Sequence, residues 1–220
     1  MNQTDNVAAA EDRSRFFWWL AEWFLSAPDA DRLATLPQPD GATPDPADPM
    51  GAAWHGLAAA RGEVSDAGAE RLGVEYTRLF SGLHEGLGPP PPYESVWREG
   101  RLVGESTVAV IEAYAQAGFA DIDPAAGPQD HGAVEMKFLA LLALRESEAW
   151  RAQDQEAAVR RLRQQRGFLH AHLGAWAPRW ADAIRSQSRE PLYAALAALL
   201  LAALDQAASE LDGLASPPAG

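Results

Sequence analysis

Cysteine is absent from all 220 residues, which excludes disulfides, thiolate metal sites and cysteine nucleophiles together. β-Branched residues are sparse in the apparent structured segments, where alanine, leucine and arginine dominate, so intrinsic propensity runs toward helix. Basic charge is in deficit: 18 lysines and arginines face 31 aspartates and glutamates, a formal net charge of −13. Such a balance repels phosphate backbones, excludes nucleic acid as the expected ligand and favours cationic partners; it also serves solubility. Nucleophile-elbow, P-loop and dinucleotide glycine signatures are missing, so nothing around Ser81, Ser95 or Ser106 points to catalysis. The polar stretch 1–15 lacks the apolar core of a secretory signal. The alanine and leucine run 192–204 is shorter than the ~20 apolar residues of a membrane span. A cytoplasmic protein without stable membrane insertion is the expectation.

What is present reads as one all-α domain over residues 1–220, a length suited to a single sizeable core. Helices are expected at about 12–25, 52–60, 65–80, 106–118, 130–150, 154–173, 176–185 and 190–211. Phe16, Trp19, Leu20 and Trp23 recur at helical spacing in the first, and Val134, Phe138, Leu141 and Leu142 mark a buried face in the fifth. The stretch 36–50 holds Pro37, Pro39, Pro44, Pro46 and Pro49 among aspartates and cannot propagate a helix, so it is expected as an internal surface loop. Residues 212–220 are expected as a disordered tail.

Two stretches concentrate the candidate chemistry. One is Glu75-Tyr76-Thr77-Arg78-Leu79-Phe80, followed by a loop whose four prolines, Pro89 to Pro92, favour extended polyproline geometry and present Tyr93 from a stiff mount. The other is Pro128-Gln129-Asp130-His131 at the start of a long helical pattern. Asp130 stands where an N-cap belongs, and His131 and Glu135, four apart, share a helix face on which the carboxylate can hold the imidazole. The same three residues at the rim of a groove could instead meet a charged peptide, with histidine making recognition pH-sensitive. Two carboxylates and one histidine at this spacing match no closed metal set, so neither a metal nor a cofactor is expected. Most of the eight tryptophans are expected in the core; Tyr76, Tyr93 and Trp97 flank the proline loop as a candidate groove wall. The residues alone leave open a peptide-binding protein, a nucleotide- or metal-dependent enzyme using Asp130, His131 and Glu135, and an acidic helical adaptor that docks a basic protein.

The ordered set of an arginine-containing aromatic helix at 13–25, Tyr76-x-x-Leu79-Phe80, Pro-Tyr93-x-Ser95, Gly104, and Pro128-x-Asp130-His131 with Glu135 resembles the TorD/DmsD family of redox-enzyme maturation chaperones, to which the nitrate reductase assembly factor NarJ is related. The resemblance covers roughly residues 13–144. It implies an all-helical TorD-like bundle that is not an enzyme and that binds the twin-arginine signal peptide, and often the body, of a molybdopterin-dependent oxidoreductase. The client is held until cofactor insertion is complete and then passes to the Tat translocase; molybdenum-cofactor delivery proteins are implied as further partners. Tyr76, Leu79, Phe80, Gly104, Pro128, Asp130 and His131 fall on positions that the family associates with leader binding, and Tyr93, Ser95 and Glu135 complete the expected peptide-binding set. The chain departs from the family in carrying Tyr76 where leader-binding members often have tryptophan, and in its four-proline run and its 36–50 insert.

Overall fold

Alanine- and leucine-rich segments fold as helices in the computed structural model, which describes residues 3–36, 45, 47–62, 64, 68–82 and 86–215. In chain order these are α1 (Gln3–Leu25), α2 (Ala30–Ala34), α3 (Pro49–Gly62), α4 (Gly68–Phe80), α5 (Glu94–Glu99), α6 (Glu105–Gln116), a 3₁₀ turn (Pro124–Ala126), α7 (Gly132–Arg151), α8 (Gln155–Ala171), α9 (Leu173–Gln187) and α10 (Pro191–Ala215). There is no strand among the described residues; Tyr93 and His131 form one isolated antiparallel bridge. The expected all-α class holds.

Several boundaries differ from the expected ones. Helix α1 begins at Gln3 rather than near residue 12, because the alanines at 8–10 are strong helix formers and no breaker precedes Asp12. Two short helices have too few turns to show a period: α2, capped by the Asp29 carboxylate on the Arg32 amide, and α5, closed by Gly100 at φ 71°. The N-cap of α6 is Gly104 rather than Ser106. Helix α9 begins at Leu173 and carries Pro178 inside it. Helix α10 continues to Ala215, into the expected tail, and 216–220 lie outside the described residues. Most of the expected 36–50 loop also lies outside them, but Pro49 and Met50 open α3, where a proline's missing amide costs nothing. The run 192–204 lies within α10, which over 191–214 is by length and composition alone long and apolar enough to cross a membrane, a test that the buried core helix of a globular protein also passes. Half of that window is buried, with Leu192, Leu196, Leu199 and Leu200 in the core.

The described residues group into two compact units, the first comprising 3–22, 93–177 and 207–215 and the second the described residues of 23–92 together with 178–206; α1, α9 and α10 run from one into the other. The first unit packs Tyr114, Phe138 and Phe168 ring against ring, with Tyr114 and Phe138 centroids 4.4 Å apart and Phe138 and Phe168 4.7 Å apart. A buried polar network crosses it. Arg13 of α1 donates to Glu146 of α7 at 2.6 Å and to Gln165 of α8 at 2.9 Å, and Gln165 donates to Glu146 at 2.7 Å. A buried guanidinium is tolerable only when paired in this way, and the pairing fixes the register of three helices.

The second unit is built on rings. Phe80 of α4 lies 5.9 Å from Phe24, 4.8 Å from Tyr76, 6.2 Å from Trp180 and 5.6 Å from Tyr193, centroid to centroid. The phenols find partners at the edge of the cluster: Tyr76 donates to the Phe24 carbonyl at 3.1 Å and Tyr193 to the Leu72 carbonyl at 2.8 Å.

Candidate functional site

The two motif blocks within the first unit meet backbone to backbone. The Glu94 amide donates to the Asp130 carbonyl at 2.9 Å, and the Ser95 amide donates to the Asp130 carboxylate at 2.9 Å. Asp130 therefore caps α5 from a distant stretch of chain, and not the helix that follows it. The N-cap of α7 is His131, whose Nδ1 accepts from the Ala133 amide at 3.1 Å. This assignment leaves the ring proton on Nε2. Its ring stands edge-on to Tyr93, 5.1 Å away. Burial drives the imidazole down to about 4, against the pull of the Asp130 and Asp123 charges, so it is neutral at neutral pH.

Nor does Glu135 hold His131. Its carboxyl is wholly buried, receives the Trp176 indole N–H at 3.2 and 3.3 Å, and shares a hydrogen bond with Glu94. Desolvation first, and then the Glu94 and Asp130 charges, push Glu135 far above the usual carboxylate range, toward the protonated form that can donate to Glu94. Glu94 in turn meets the Arg98 guanidinium, and His172 Nδ1 lies 3.0 Å from its second oxygen. Asp130 Oδ1 and Ser95 Oγ are buried and have no hydrogen-bond partner among the described residues.

Beyond α5 the same junction reaches α6. The Glu99 carboxylate accepts from the amides of Glu105 at 2.9 Å and Ser106 at 2.7 Å, occupying the N-terminus of α6. A side-chain hydrogen bond from Ser106, and then the Ser106 and Glu105 amides, hold Glu99 down to about 2. Gly104 leaves room for this carboxylate, because a Cβ there would lie 2.0 Å from a Glu99 carboxylate oxygen and displace it. On the other side, Gln129 closes the 121–129 loop: its carbonyl accepts from the Ile122 amide at 2.8 Å, and its amide donates to the Asp123 and Gly127 carbonyls at 3.1 Å each. Lys137 is bound at 2.8 Å by both Asp123 and Glu22.

In the second unit Leu79 and Phe80 are buried and Tyr76 is half-buried. Their helix is anchored by Glu75, whose carboxylate accepts two bonds from Arg78, at 2.6 and 2.7 Å, and one from the Arg189 amide at 2.7 Å. Burial opposes its ionisation, but these donors win and keep Glu75 below its ordinary range. Arg78 also donates to the Leu87 and Gln187 carbonyls at 2.8 and 2.6 Å.

Asp130, His131 and Glu135 therefore do not stand at an open rim: Asp130 and Glu135 are wholly buried and His131 nearly so. Ser95 and Gly104 are buried too, while Tyr93, Trp97 and Pro128 are partly exposed. Among the described residues no three or more His, Asp or Glu are grouped so as to hold a metal ion. Sequence reasoning missed Glu94 and Gln129, the unassigned middle positions of Tyr93-x-Ser95 and Pro128-x-Asp130. A polar residue flanked on both sides by motif positions was the available signal. Glu99, Tyr114, His172 and Trp176 gave none, because their partners are set by tertiary packing.

A profile of the nitrate reductase delta subunit family matches residues 43–182 of this arrangement, more than half of the chain. The chain belongs to the nitrate reductase delta subunit family. Within the wider TorD and NarJ grouping, it is 29% identical over 212 residues to the chaperone protein TorD of Ferrimonas balearica, covering 92% of both chains. It is 33% identical over 144 residues to the Tat proofreading chaperone DmsD of Salmonella typhi, covering 64% of this chain and 63% of that one. A solved structure described as a redox enzyme maturation protein from Archaeoglobus fulgidus shares the fold, with a TM-score of 0.50 at 22% identity over 86% of this chain and 92% of the other. The family's members are chaperones and not enzymes.

Proposed function

We propose that this protein is a cytoplasmic chaperone that binds the twin-arginine signal peptide, and the body, of a molybdopterin-dependent oxidoreductase precursor. It holds the client until cofactor insertion is complete and then releases it to the Tat translocase, with molybdenum-cofactor delivery proteins as further partners. The junction in which Asp130 caps α5 at Ser95 carries this assignment, because it unites Pro-Tyr93-x-Ser95 with Pro128-x-Asp130-His131, two of the motifs on which the family likeness rests. In the first unit Tyr93 and Pro128 are assigned to contact with the client, while Ser95, Gly104, Asp130, His131 and Glu135 shape the surface from beneath. In the second unit Tyr76 is the half-buried member of its motif, and the buried Leu79 and Phe80 support it.

The chemistry is complementary. A twin-arginine leader has a cationic start and an apolar stretch, and this chain is acidic with aromatic side chains at the motif. Each large apolar side chain buried contributes ~1.5–3 kcal/mol before ordering costs, so a few anchors suffice for moderate affinity. The test is co-purification of the tagged chain from its own cytoplasm, with partners identified by mass spectrometry. Recovery of a molybdoenzyme still bearing its leader is the expected result. Absence of every such precursor, under conditions in which those enzymes are made, overturns the proposal.

A further inference from the structure

Four of the large apolar side chains exposed in this protein fall within ten residues of one another. Leu102 and Val103 precede α6 and are 51% and 59% exposed; Val108 and Ile111 lie on it and are 56% and 43% exposed. Val108 and Ile111 are three apart and occupy one stripe of the helix, which the exposed Ala115 extends. Val103 and Val108 take the N′ and N4 positions around the Gly104 N-cap, where apolar side chains pack over the first turn. Val103 has φ 57°, a conformation costly for a β-branched residue, and it turns an apolar side chain to solvent rather than to the core. Scattered single exposed apolar residues need no explanation; a grouped stripe on a strained mount does.

The stripe is bordered by carboxylates of matching use. Glu105 and Glu112, seven apart on α6, are exposed and form no salt bridge among the described residues. Of the cations near α6, Arg101 is paired with Glu99 at 3.4 Å and Arg161 donates to the Ala117 carbonyl at the far end of the helix at 3.0 Å. An apolar stripe edged by free negative charge fits a segment that joins arginines to a run of apolar residues.

We propose that the leader docks here, with its apolar stretch on Leu102, Val103, Val108 and Ile111 and its arginines on Glu105 and Glu112. The assignment rests on the leader-binding function proposed above and gives it a surface that the buried motif residues cannot supply. The motif acts through this surface: Asp130 holds α5, α5 carries Glu99, and Glu99 with Gly104 sets the start of α6.

Labelled synthetic peptides carrying the twin-arginine leaders of the source cell's molybdoenzyme precursors are titrated, one by one, into the full-length chain and its variants. Val108→Asp with Ile111→Asp is expected to weaken binding roughly tenfold or more with helicity unchanged. Glu105→Gln with Glu112→Gln is expected to weaken it severalfold at low salt and to flatten its salt dependence. Leu144→Asp, at an exposed position of α7, is expected to leave binding unchanged. A photo-crosslinking residue at position 108, which leaves the rest of the surface intact, is expected to capture the leader, and one at position 144 is not. Undiminished binding by the Val108/Ile111 variant, or no capture from position 108 by a chain that binds the leader, overturns the docking surface and leaves the function standing. Failure of the unmodified chain to bind any leader overturns both.

Discussion

Around Asp130 the first unit buries three carboxyl groups, those of Glu94, Asp130 and Glu135, together with the His131 imidazole, and the half-buried His172 meets Glu94. Around Phe80 the second unit gathers four further rings, and the two phenols among them reach backbone carbonyls. In the polar junction each group depends on a particular partner and a particular protonation state, so tolerance is decided by geometry and charge. In the aromatic cluster the stabilisation is spread over area and volume, so tolerance is decided by size. Both motif blocks look alike as short strings of letters, yet one specifies a chain crossing and the other a packed core.

The comparison breaks most visibly by volume. Phe80→Ala is expected to cost about 3–5 kcal/mol in chemical denaturation, and Phe80→Leu about 1 kcal/mol; equal losses would mean that ring volume is not what the cluster uses. Acid should distinguish the junction. His131 has its proton affinity lowered from 6.5 to about 4, so the unfolded chain binds more protons between these values. Its contribution is complete above pH 6.5 and is lost as pH falls toward 4, on the order of 3 kcal/mol in all. His131→Asn, which keeps a capping side chain, should flatten that slope. Glu135 acts in the opposite direction: folding raises its affinity for a proton, so stability declines as pH rises above 4.5, and Glu135→Gln should remove the decline. Phe80→Ala should leave both slopes as they are.

A smaller effect separates geometry from charge. Asp130→Ala is expected to cost about 2 kcal/mol by leaving the Ser95 amide unpaired, while Asp130→Asn keeps an acceptor and should cost less than half as much. Equal losses would point to the charge itself. The smallest is Gly104→Ala, which must displace the Glu99 carboxylate from the start of α6. Thermal unfolding should register a slight loss, and in a Glu99→Ala background the same substitution should cost almost nothing.

Long elements are legible in the sequence: the face of α7, the helix that becomes α10 and the positions of Tyr76, Leu79, Phe80, Tyr93, Gly104, Asp130 and His131 stand out as letters. The partners of those letters do not. Asp130 sits one residue before the N-cap of α7 and invites a local capping role, yet its carboxylate goes to Ser95, 35 residues away in sequence. Glu135 invites a pairing with His131 one turn away and instead meets Glu94 and Trp176. Helix α5 was invisible because six residues offer no period to detect.

By itself the sequence determined the helical class, the acidic surface, the absence of thiol chemistry and the family, because these depend on propensity, charge and the order of motifs along the chain. Only the tertiary structure decided which carboxylate caps which helix, which one keeps its proton, and that the apolar stripe of α6 faces water. Those outcomes depend on burial and on contacts between segments far apart in the chain, and neither has a local signature.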